Sequence, residues 1–378
     1  MNIYSFTGGR PSPEDFPVEG LIDATARVLR RRGADLIAYP HMADLHGELA
    51  RVAATRFEQG ERAERTGVAL PVEDIVITAG SMMAIDELAR FLTQPGDTVL
   101  TEELSYMGSL GRFRGLGLEI EGIPVDPLDG MDVEALEAAL RGLADRGVTP
   151  RFIYTIATYQ NPTGAILALE RRKRLLELAG AYGVTVIEDD CYGDVHFEPP
   201  LPPPTLYELS DGSAPVVYIG SFSKIVGPGL RLGYMCLPPA LAELKARRIS
   251  NNASGLASLI LAEYLKENLA PHIRRHNQVI AGKRDVLLAA LEEELGGLVS
   301  WNRPRGGLFG WIKLPDEIDL ARLEELAAEH GVEYTPGRDF HCQRENIHYL
   351  RLSYPHMSPH EIREGVSILA ECIRHACD

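Results

Sequence analysis

The sequence predicts an α/β fold in which a large domain with a mostly parallel sheet precedes a smaller α+β part. Three observations lead to this prediction. Between about residues 74 and 240, short β-rich runs alternate with segments of helical spacing, an order typical of parallel sheets covered by helices on both faces. Several of these runs are apolar throughout, as strands buried on both faces are. After residue 251 the alternation ends and long helical stretches follow.

The individual elements follow from the same patterns. In the first part, strands are predicted at residues 74–78, 97–100, 118–123, 151–156, 184–187 and 216–219, with a further strand-like run at 232–237. Helices are predicted at 82–92, 132–143 and 170–182. In the second part, helices are predicted at 256–269, roughly 272–294, 319–330 and 359–375, with strands at 307–313 and 348–352. Pro271 is expected to end the first of these helices, because proline lacks the N–H donor of a helix interior.

Composition excludes several classes of protein. The net charge is −16, and without a run rich in lysine and arginine this argues against a nucleic-acid partner. No stretch of apolar residues is long enough for a membrane span, and the first ten residues lack the pattern of a signal peptide. The five cysteines form no Cys-x-x-Cys pair, which favours reduced thiols in a cytoplasm. No metal site is predicted.

A lysine at the end of an apolar strand is the first candidate for chemistry. Lys224 follows the run at 216–219 and lies beside Ser221 and Ser223, and Arg231 comes seven residues later. Burial and a nearby cation lower the pKa of an amine, and hydroxyl and guanidinium groups donate to a phosphate dianion. This setting suits a Schiff base beside a phosphate. Taken alone, a surface lysine is the commoner explanation.

The glycines of this segment do not form a dinucleotide-binding fingerprint. Gly227, Gly229 and Gly233 have the spacing G-x-G-x-x-x-G, and the run that follows them is strand-like. A Rossmann site requires the N-terminus of a helix after the glycines. That interpretation is therefore rejected.

Polar side chains also follow three other predicted strands. Asp189 has two explanations. It is a loop cap or metal ligand, or it is a carboxylate that keeps a pyridine nitrogen protonated. Tyr192 lies three residues after Asp189. Asn161 lies in a turn signal, Asn-Pro-Thr-Gly, but its amide is also a donor for a phenolate oxygen. Ser81 begins a helix, where free N–H groups suit a phosphate; the simpler role is a helix cap.

Two further residues have two open explanations each. The Tyr106 ring is available either for stacking on a ligand or for packing. Arg351 is a charged residue within an apolar strand and so needs a partner, which is either a substrate carboxylate held by the guanidinium fork or a structural salt bridge. Because open α/β sheets bind ligands beyond the carboxyl ends of their strands, we expect these polar groups to share one pocket. A phosphate-binding set of donors, a carboxylate, a phenol and an amine in one pocket are typical of a pyridoxal-phosphate (PLP) site.

In these motifs the chain resembles the class I aminotransferase family of fold-type I PLP enzymes over nearly its whole length. The motifs that carry the resemblance are GG-x-PSP-x-x-FP at 8–17, GS-x-x-A at 80–84, QNPTG at 160–164, EDD-x-Y at 188–192, SFSK-x-x-x-PG-x-R-x-GY at 221–234 and LRLSY at 350–354. The first of them is most similar to the branch of aminoadipate and kynurenine aminotransferases. The resemblance implies a seven-stranded, mostly parallel sheet in a large domain at 40–272. It assigns residues 1–39 and 273–378 to the small domain.

The resemblance also implies a role for each candidate residue. Lys224 would form the internal aldimine and move the proton between the substrate Cα and the cofactor. The other expected contacts are Asp189 to the pyridinium nitrogen, Asn161 and Tyr192 to the ring oxygen, Tyr106 to the ring face, and Ser81, the Met82 main chain, Ser221, Ser223 and Arg231 to the phosphate. Arg351, with Asn161, Gly9 and Arg10, would bind the substrate. Such enzymes are usually homodimers with shared sites, and Tyr39 is expected to reach the neighbouring subunit's site.

The activity implied is transfer of an amino group from an L-amino acid to a 2-oxo acid. The alternative is another reaction of the same fold, such as decarboxylation, β- or γ-elimination or replacement, or carbon–carbon bond formation. A ligand-sensing transcription regulator with an aminotransferase-like domain is disfavoured. The chain is acidic, and the resemblance begins at residue 8, before which no DNA-binding domain is expected.

Overall fold

The computed structural model describes residues 2–38, 42–58, 68–247 and 253–377. In chain order the described strands are β1 (Tyr4–Ser5), β2 (Ile75–Thr78), β3 (Thr98–Glu102), β4 (Glu119–Ile123), β5 (Val125–Asp126), β6 (Gly130–Met131), β7 (Phe152–Thr155), β8 (Thr185–Asp189), β9 (Val216–Ser221), β10 (Gly233–Cys236), β11 (Ser300–Trp301), β12 (Phe309–Lys313), β13 (Val332–Glu333), β14 (Thr335–Pro336) and β15 (Tyr349–Ser353). The described α-helices are α1 (Val18–Ile37), α2 (Met42–Glu58), α3 (Ser81–Leu92), α4 (Met107–Gly115), α5 (Val133–Asp145), α6 (Leu169–Tyr182), α7 (Leu206–Leu209), α8 (Ala242–Arg247), α9 (Gly255–Leu295), α10 (Leu320–His330) and α11 (Pro359–Cys377).

The largest sheet confirms the predicted α/β architecture. Its seven strands lie in the order β2-β10-β9-β8-β7-β3-β4, and each predicted strand of the first part is one of them. Only β10 runs antiparallel to its neighbours; the other pairs are parallel. The central strands β7 and β9 are buried along their whole length, so helices cover both faces of the sheet as expected.

The C-terminal part contains a second, antiparallel sheet with the order β11-β12-β15-β14, together with α10 and α11. The N-terminal strand β1 pairs in parallel with β13 of this part, with Tyr4 opposite Val332. The N-terminal strand is thus attached to the C-terminal part. The division into a large domain at 40–272 and a small domain at 1–39 and 273–378 stays a prediction. None of the helices in the described ranges has the length and apolar composition needed to cross a membrane.

The long helix α9 corrects one prediction. Pro271 does not end a helix there, because α9 runs through it from Gly255 to Leu295. An internal proline costs a helix about 3 kcal/mol, and contacts on both sides of it offset this cost here. Leu265 is buried before it, and His272 directly after it donates from Nε2 to the Ile225 carbonyl at 2.5 Å. Tertiary packing therefore overrides the local preference.

A buried ion pair holds the end of β8. The Arg172 side chain is fully buried, and its Nη1 lies 3.8 Å from Glu188 Oε1. Arg172 also donates to three main-chain carbonyls at 2.8, 3.1 and 2.7 Å. Glu188 accepts the N–H groups of Leu206 and Tyr207 at 2.9 and 3.0 Å. Burial raises the pKa of Glu188 to about 7, and Arg172 opposes this rise. The pair thereby fixes the residue that precedes Asp189.

Arg172→Met should lower the free energy of unfolding by about 3–5 kcal/mol, because it leaves a buried carboxyl group without its partner. Urea unfolding at about pH 8.5 measures the loss. The loss should shrink as the pH falls through about 7, the pKa of Glu188 in the folded chain, because the protonated group no longer needs a cation beside it. Arg303→Met is the control, since its side chain is 54% exposed in its pair with Glu198 and should change stability by under about 1 kcal/mol. Equal losses in the two variants would contradict the prediction.

Candidate active site

A cavity of about 280 Å³ lies where several strands of the large sheet end. Its size is near the lower end of the range for small-molecule sites, roughly 300–1,000 Å³. All the predicted cofactor residues line it, and so do three of the five predicted substrate residues, Gly9, Asn161 and Arg351. The predicted residues in its lining are Gly9, Ser81, Met82, Tyr106, Asn161, Asp189, Tyr192, Ser221, Ser223, Lys224, Arg231 and Arg351. The structure thus brings groups from separate strand ends together in one cavity.

Two predicted residues are not in this set. Arg10 is exposed and is not among the described lining residues of the cavity. Its main-chain N–H donates to the Gly8 carbonyl at 2.8 Å, so it lies in the turn directly beyond Gly9. Tyr39 lies outside the described residues.

The N-terminus of α3 forms a cradle at one end of the cavity. The residue before the helix is Gly80, with φ +87°, so no side chain caps the first turn. Ser81 is therefore the first helical residue and not the cap, which leaves N–H groups of this turn available to an anion. A Cβ at Gly80 would meet Arg231 Nη2 at 2.9 Å. The absence of a side chain at Gly80 therefore leaves room for the Arg231 guanidinium. Arg231 itself has φ +52°, a conformation that non-glycine residues rarely adopt.

Lys224 lies in the loop after β9, with its amine directed toward the N-terminal segment. Nζ donates to the Gly9 carbonyl at 2.7 Å. Burial lowers the pKa of Lys224, and the charges of Arg351 and Arg231 add to this effect. A lowered pKa favours the neutral amine, which is the nucleophilic form. A Cβ at Gly9 would lie 3.1 Å from the Phe309 ring and 3.6 Å from Lys224 Nζ, so glycine lets the chain pass close to the amine.

The Asp189 carboxylate lies at the end of β8 and is buried. Its Oδ2 accepts from Tyr154 Oη at 2.8 Å and its Oδ1 from Cys191 Sγ at 2.8 Å. Burial raises the pKa of Asp189, while these two hydrogen bonds and the charge of Lys224 lower it. An aspartate in this position can hold a proton on a basic ring nitrogen.

Arg351 carries a buried charge in the lining of the same cavity. Its Nη1 donates to Asn161 Oδ1 at 2.8 Å and its Nη2 to the Thr7 carbonyl at 2.7 Å. The amide of Asn161 in turn donates to Tyr192 Oη at 3.4 Å. The guanidinium carbon lies 4.0 Å from the centre of the Phe309 ring and 4.7 Å from that of Phe340, which places the planar group between two aromatic faces.

No acidic side chain in the described ranges forms an ion pair with Arg351, and its buried Nε lacks a hydrogen-bond partner there. Burial lowers the pKa of Arg351 to about 10, so the group is still charged at neutral pH. Of the two explanations left open for this residue, a structural salt bridge therefore finds no partner among these residues. A buried cation of this kind suits an anionic ligand.

Sequence reasoning missed several residues of the cavity and its wall. Thr7 and Phe309 line the cavity, Phe340 contacts Arg351, and Tyr154 and Cys191 hold Asp189. Phe309 and Phe340 have the appearance of ordinary core residues in the sequence, and Tyr154 lies inside an apolar strand. Only Cys191 had a local signal, since it lies between Asp189 and Tyr192.

Comparison with known proteins agrees with this geometry. The family model described as aminotransferase class I and II matches residues 9–369. The chain belongs to this aminotransferase family. It is 34% identical to aromatic-amino-acid aminotransferase 1 of Thermococcus litoralis, over 99% of this chain and 88% of that protein. It is 35% identical to the 2-aminoadipate transaminase of Thermus thermophilus, over 98% and 90% of the two chains.

A solved structure extends this aminotransferase assignment to the cofactor. The α-aminoadipate aminotransferase of Thermus thermophilus, complexed with N-(5′-phosphopyridoxyl)-L-leucine, matches with a TM-score of 0.87 and 34% identity, over 99% of this chain and 92% of that one. The chain is a PLP-dependent aminotransferase of fold type I, acting on amino acids and 2-oxo acids.

The residues present fit PLP. The uncapped turn of α3 with Arg231 suits its phosphate, and a Cβ at Gly233 would close this cradle by meeting the Ser81 nitrogen at 2.8 Å. The buried carboxylate of Asp189 suits a protonated ring nitrogen, and Lys224 is an amine of lowered pKa. Arg351 lines the cavity, and its positive charge suits a substrate carboxylate. Within the described ranges, no group of His, Cys, Asp and Glu side chains is arranged to hold a metal ion.

Gly80→Ala should raise the dissociation constant for PLP at least about tenfold, because the added methyl group displaces the Arg231 guanidinium from the cradle. Titration of the cofactor-stripped enzyme with PLP, followed by absorbance, measures this. Gly96→Ala is the matched control: its φ is +89°, and nothing lies within 4 Å of its added Cβ. Both substitutions strain the backbone by about 1–3 kcal/mol, but only the first should weaken PLP binding. Equal affinities in the two variants would show that the cradle is not the phosphate site.

Proposed function

We propose that the aminotransferase reaction takes place in this cavity, with Lys224 as the residue that links to the cofactor and Arg351 as the group that binds the substrate carboxylate. The observation that carries the proposal is the buried Arg351 guanidinium, which no acidic side chain of the described ranges neutralises and whose Nη1 reaches Asn161. A substrate carboxylate would supply the missing negative charge. The amine of Lys224 faces the same cavity.

The remaining residues would hold and polarise the reactants. Ser81, the Met82 main chain, Ser221, Ser223 and Arg231 are the proposed phosphate ligands, and Tyr106 would cover one face of the ring. Asn161 and Tyr192 would donate to the ring oxygen, since their own contact at 3.4 Å leaves room for a shared acceptor. When bound, PLP supplies the electron sink that makes the substrate Cα proton acidic.

Lys224 Nζ would then act as the base that takes this proton and as the acid that returns it. Its lowered pKa favours the neutral amine that accepts a proton near neutral pH. Arg351 and Asn161 would orient the substrate so that the bond to hydrogen, and not another bond at Cα, faces this amine. Loss of the proton, rather than of the carboxylate, is what separates transamination from decarboxylation.

The two reactions differ when the enzyme is given a donor and no acceptor. The wild-type enzyme should release about one equivalent of 2-oxo acid per site and then stop. The donors to use are an aromatic amino acid and 2-aminoadipate, for which two of its relatives are named. Lys224→Ala should lose both this release and the visible absorbance of the lysine-linked cofactor. Arg351→Lys should raise the donor concentration for half-maximal rate about 100-fold, since a point charge cannot replace the planar fork.

Arg338→Lys is the control for the arginine, because Arg338 pairs with Glu324 and is not among the described lining residues. It should leave the half-reaction unchanged. Continuous release of ammonia or carbon dioxide by the wild type would favour elimination or decarboxylation. Normal release by Lys224→Ala would overturn the assignment of the lysine.

We also propose a homodimer, with the face of α1 that carries Val18, Ile22 and Leu29 in its interface. These side chains are 57%, 55% and 47% exposed, and their spacing places them on one side of the helix. A row of exposed apolar side chains marks an interaction surface. Sedimentation equilibrium of the holoenzyme should give twice the chain mass, and Ile22→Asp should shift it toward the monomer. A monomeric wild type would contradict this proposal.

The cysteines support the predicted cytoplasmic location. All five are free thiols, and four of them are buried. Reduced thiols persist in a reducing compartment. Fractionation of the source cells would test this location, and recovery of the enzyme outside the cytoplasm would contradict it.

A further inference from the structure

The carboxylate of Asp189 is held on both oxygens by neutral donors that the family motifs do not include. Cys191 Sγ approaches Oδ1 at 2.8 Å, and Tyr154 Oη approaches Oδ2 at 2.8 Å. Ser109 Oγ lies 3.0 Å from Tyr154 Oη and donates to it. Cys191 lines the cavity, as Asp189 does, while Tyr154 and Ser109 lie in the wall and are fully buried.

The direction of each hydrogen bond follows from the groups involved. An ionised carboxylate only accepts, so the thiol and the phenol must be the donors. Burial raises the pKa of Cys191 and that of Tyr154 well above their usual values, and the nearby charge of Asp189 adds to both shifts. Both groups therefore keep their hydrogen at neutral pH. Because each carboxylate oxygen has two lone pairs, each retains one for a ligand in the cavity.

We propose that Cys191 and Tyr154 are positioning residues for Asp189, which orient its carboxylate and share its charge so that a proton between Asp189 and the cofactor's ring nitrogen stays on the nitrogen. This inference rests on the proposed role of Asp189. It assigns a function in the reaction to Cys191, the one cysteine among the described lining residues of the cavity.

The physical reason is a competition between two bases for one proton. Burial raises the pKa of Asp189, and the adjacent charge of Asp190 raises it further, while the hydrogen bonds from Cys191 and Tyr154 and the charge of Lys224 lower it. If the two donors are removed, the carboxylate becomes the stronger base and takes the proton. The ring nitrogen is then neutral, and a neutral ring withdraws electrons from Cα less effectively.

The thiol is well suited to this task because it is a weak donor with little polarity. It adds a hydrogen bond to Asp189 without bringing a charge into a site that already holds Lys224, Arg231 and Arg351. Tyr154 is a stronger donor, and Ser109 completes its hydrogen bonding from the other side. Together the two residues use one lone pair on each oxygen of Asp189 and leave the other lone pair for a ligand in the cavity.

The test is the protonation state of the ring nitrogen, read directly by ¹⁵N NMR of holoenzyme reconstituted with PLP labelled at that atom. In the wild type, the resonance should lie in the range of a protonated pyridine nitrogen at pH 7. Cys191→Ala and Tyr154→Phe should each move it toward the unprotonated range, and the double variant should move it further. Each single variant should lower kcat about tenfold, the effect of one hydrogen bond to a charged group, with the donor KM changed less than about twofold.

Three further variants separate this role from a structural one. Cys191→Ser replaces the S–H donor with an O–H donor and should keep the wild-type resonance and most of kcat. Cys236→Ala removes another buried thiol, one that contacts Tyr207 Oη at 3.6 Å, and should change neither quantity. Tyr218→Phe removes the 2.7 Å hydrogen bond to the adjacent Asp190 and should shift the resonance less than Tyr154→Phe does.

The outcomes separate a failure of this inference from a failure of the proposed role of Asp189. If Asp189→Asn shifts the resonance but Cys191→Ala and Tyr154→Phe do not, this inference is wrong and the proposed role of Asp189 stands. If Asp189→Asn also leaves the resonance unchanged, the proposed role of Asp189 fails. A loss of kcat in Cys191→Ala with an unshifted resonance would mean that the thiol contributes packing alone, which would also overturn the inference.

Discussion

Buried positive charge at the carboxyl edge of the seven-stranded sheet is the constraint on which the rest of the site depends. Lys224 and Arg351 come from distant parts of the chain, and each donates to a main-chain carbonyl of the N-terminal segment, Gly9 and Thr7 respectively. The Thr7 carbonyl accepts a hydrogen bond from the Arg351 guanidinium but does not neutralise its full charge, whereas the lowered pKa of Lys224 favours its neutral amine. The cavity therefore favours anions, and a molecule that carries a phosphate and a carboxylate gains free energy by entering it.

The same N-terminal segment is joined to the lysine loop a second time, through the long helix α9. His276 Nε2 donates to the Lys224 carbonyl at 2.8 Å, and its Nδ1 lies 2.9 Å from Asp15 Oδ2. Lys224 is thus held at its side chain by Gly9 and at its main chain through His276. Since α9 supplies this contact, the continuity of the helix past Pro271 matters to the site as well as to the fold.

The large sheet could be predicted from the sequence because its strands are short apolar runs separated by helices, a local pattern. Two other features were less accessible. The helices α1 and α2 were not predicted. In α1, apolar residues such as Ile22 are exposed, so the apolar residues do not all lie on one face and the helical pattern is harder to recognise. The prediction that a helix ends at Pro271 was wrong. Packing around Leu265 and His272 offsets the free-energy cost of a proline inside a helix, and local sequence alone shows only that cost.

The sequence by itself determined which strand ends carry Ser81, Asn161, Asp189 and Lys224, and hence that these groups converge, since parallel strands must end at one edge. Only the tertiary structure decided what surrounds them. Arg351 meets the Thr7 carbonyl across 344 positions of the chain, and Tyr154 meets Asp189 across 35. No local pattern encodes such contacts, because they depend on strand order and on the packing of side chains from separate elements. That packing decided that Arg351 finds no acidic partner among the described residues, and that Asp189 is held by a phenol and a thiol.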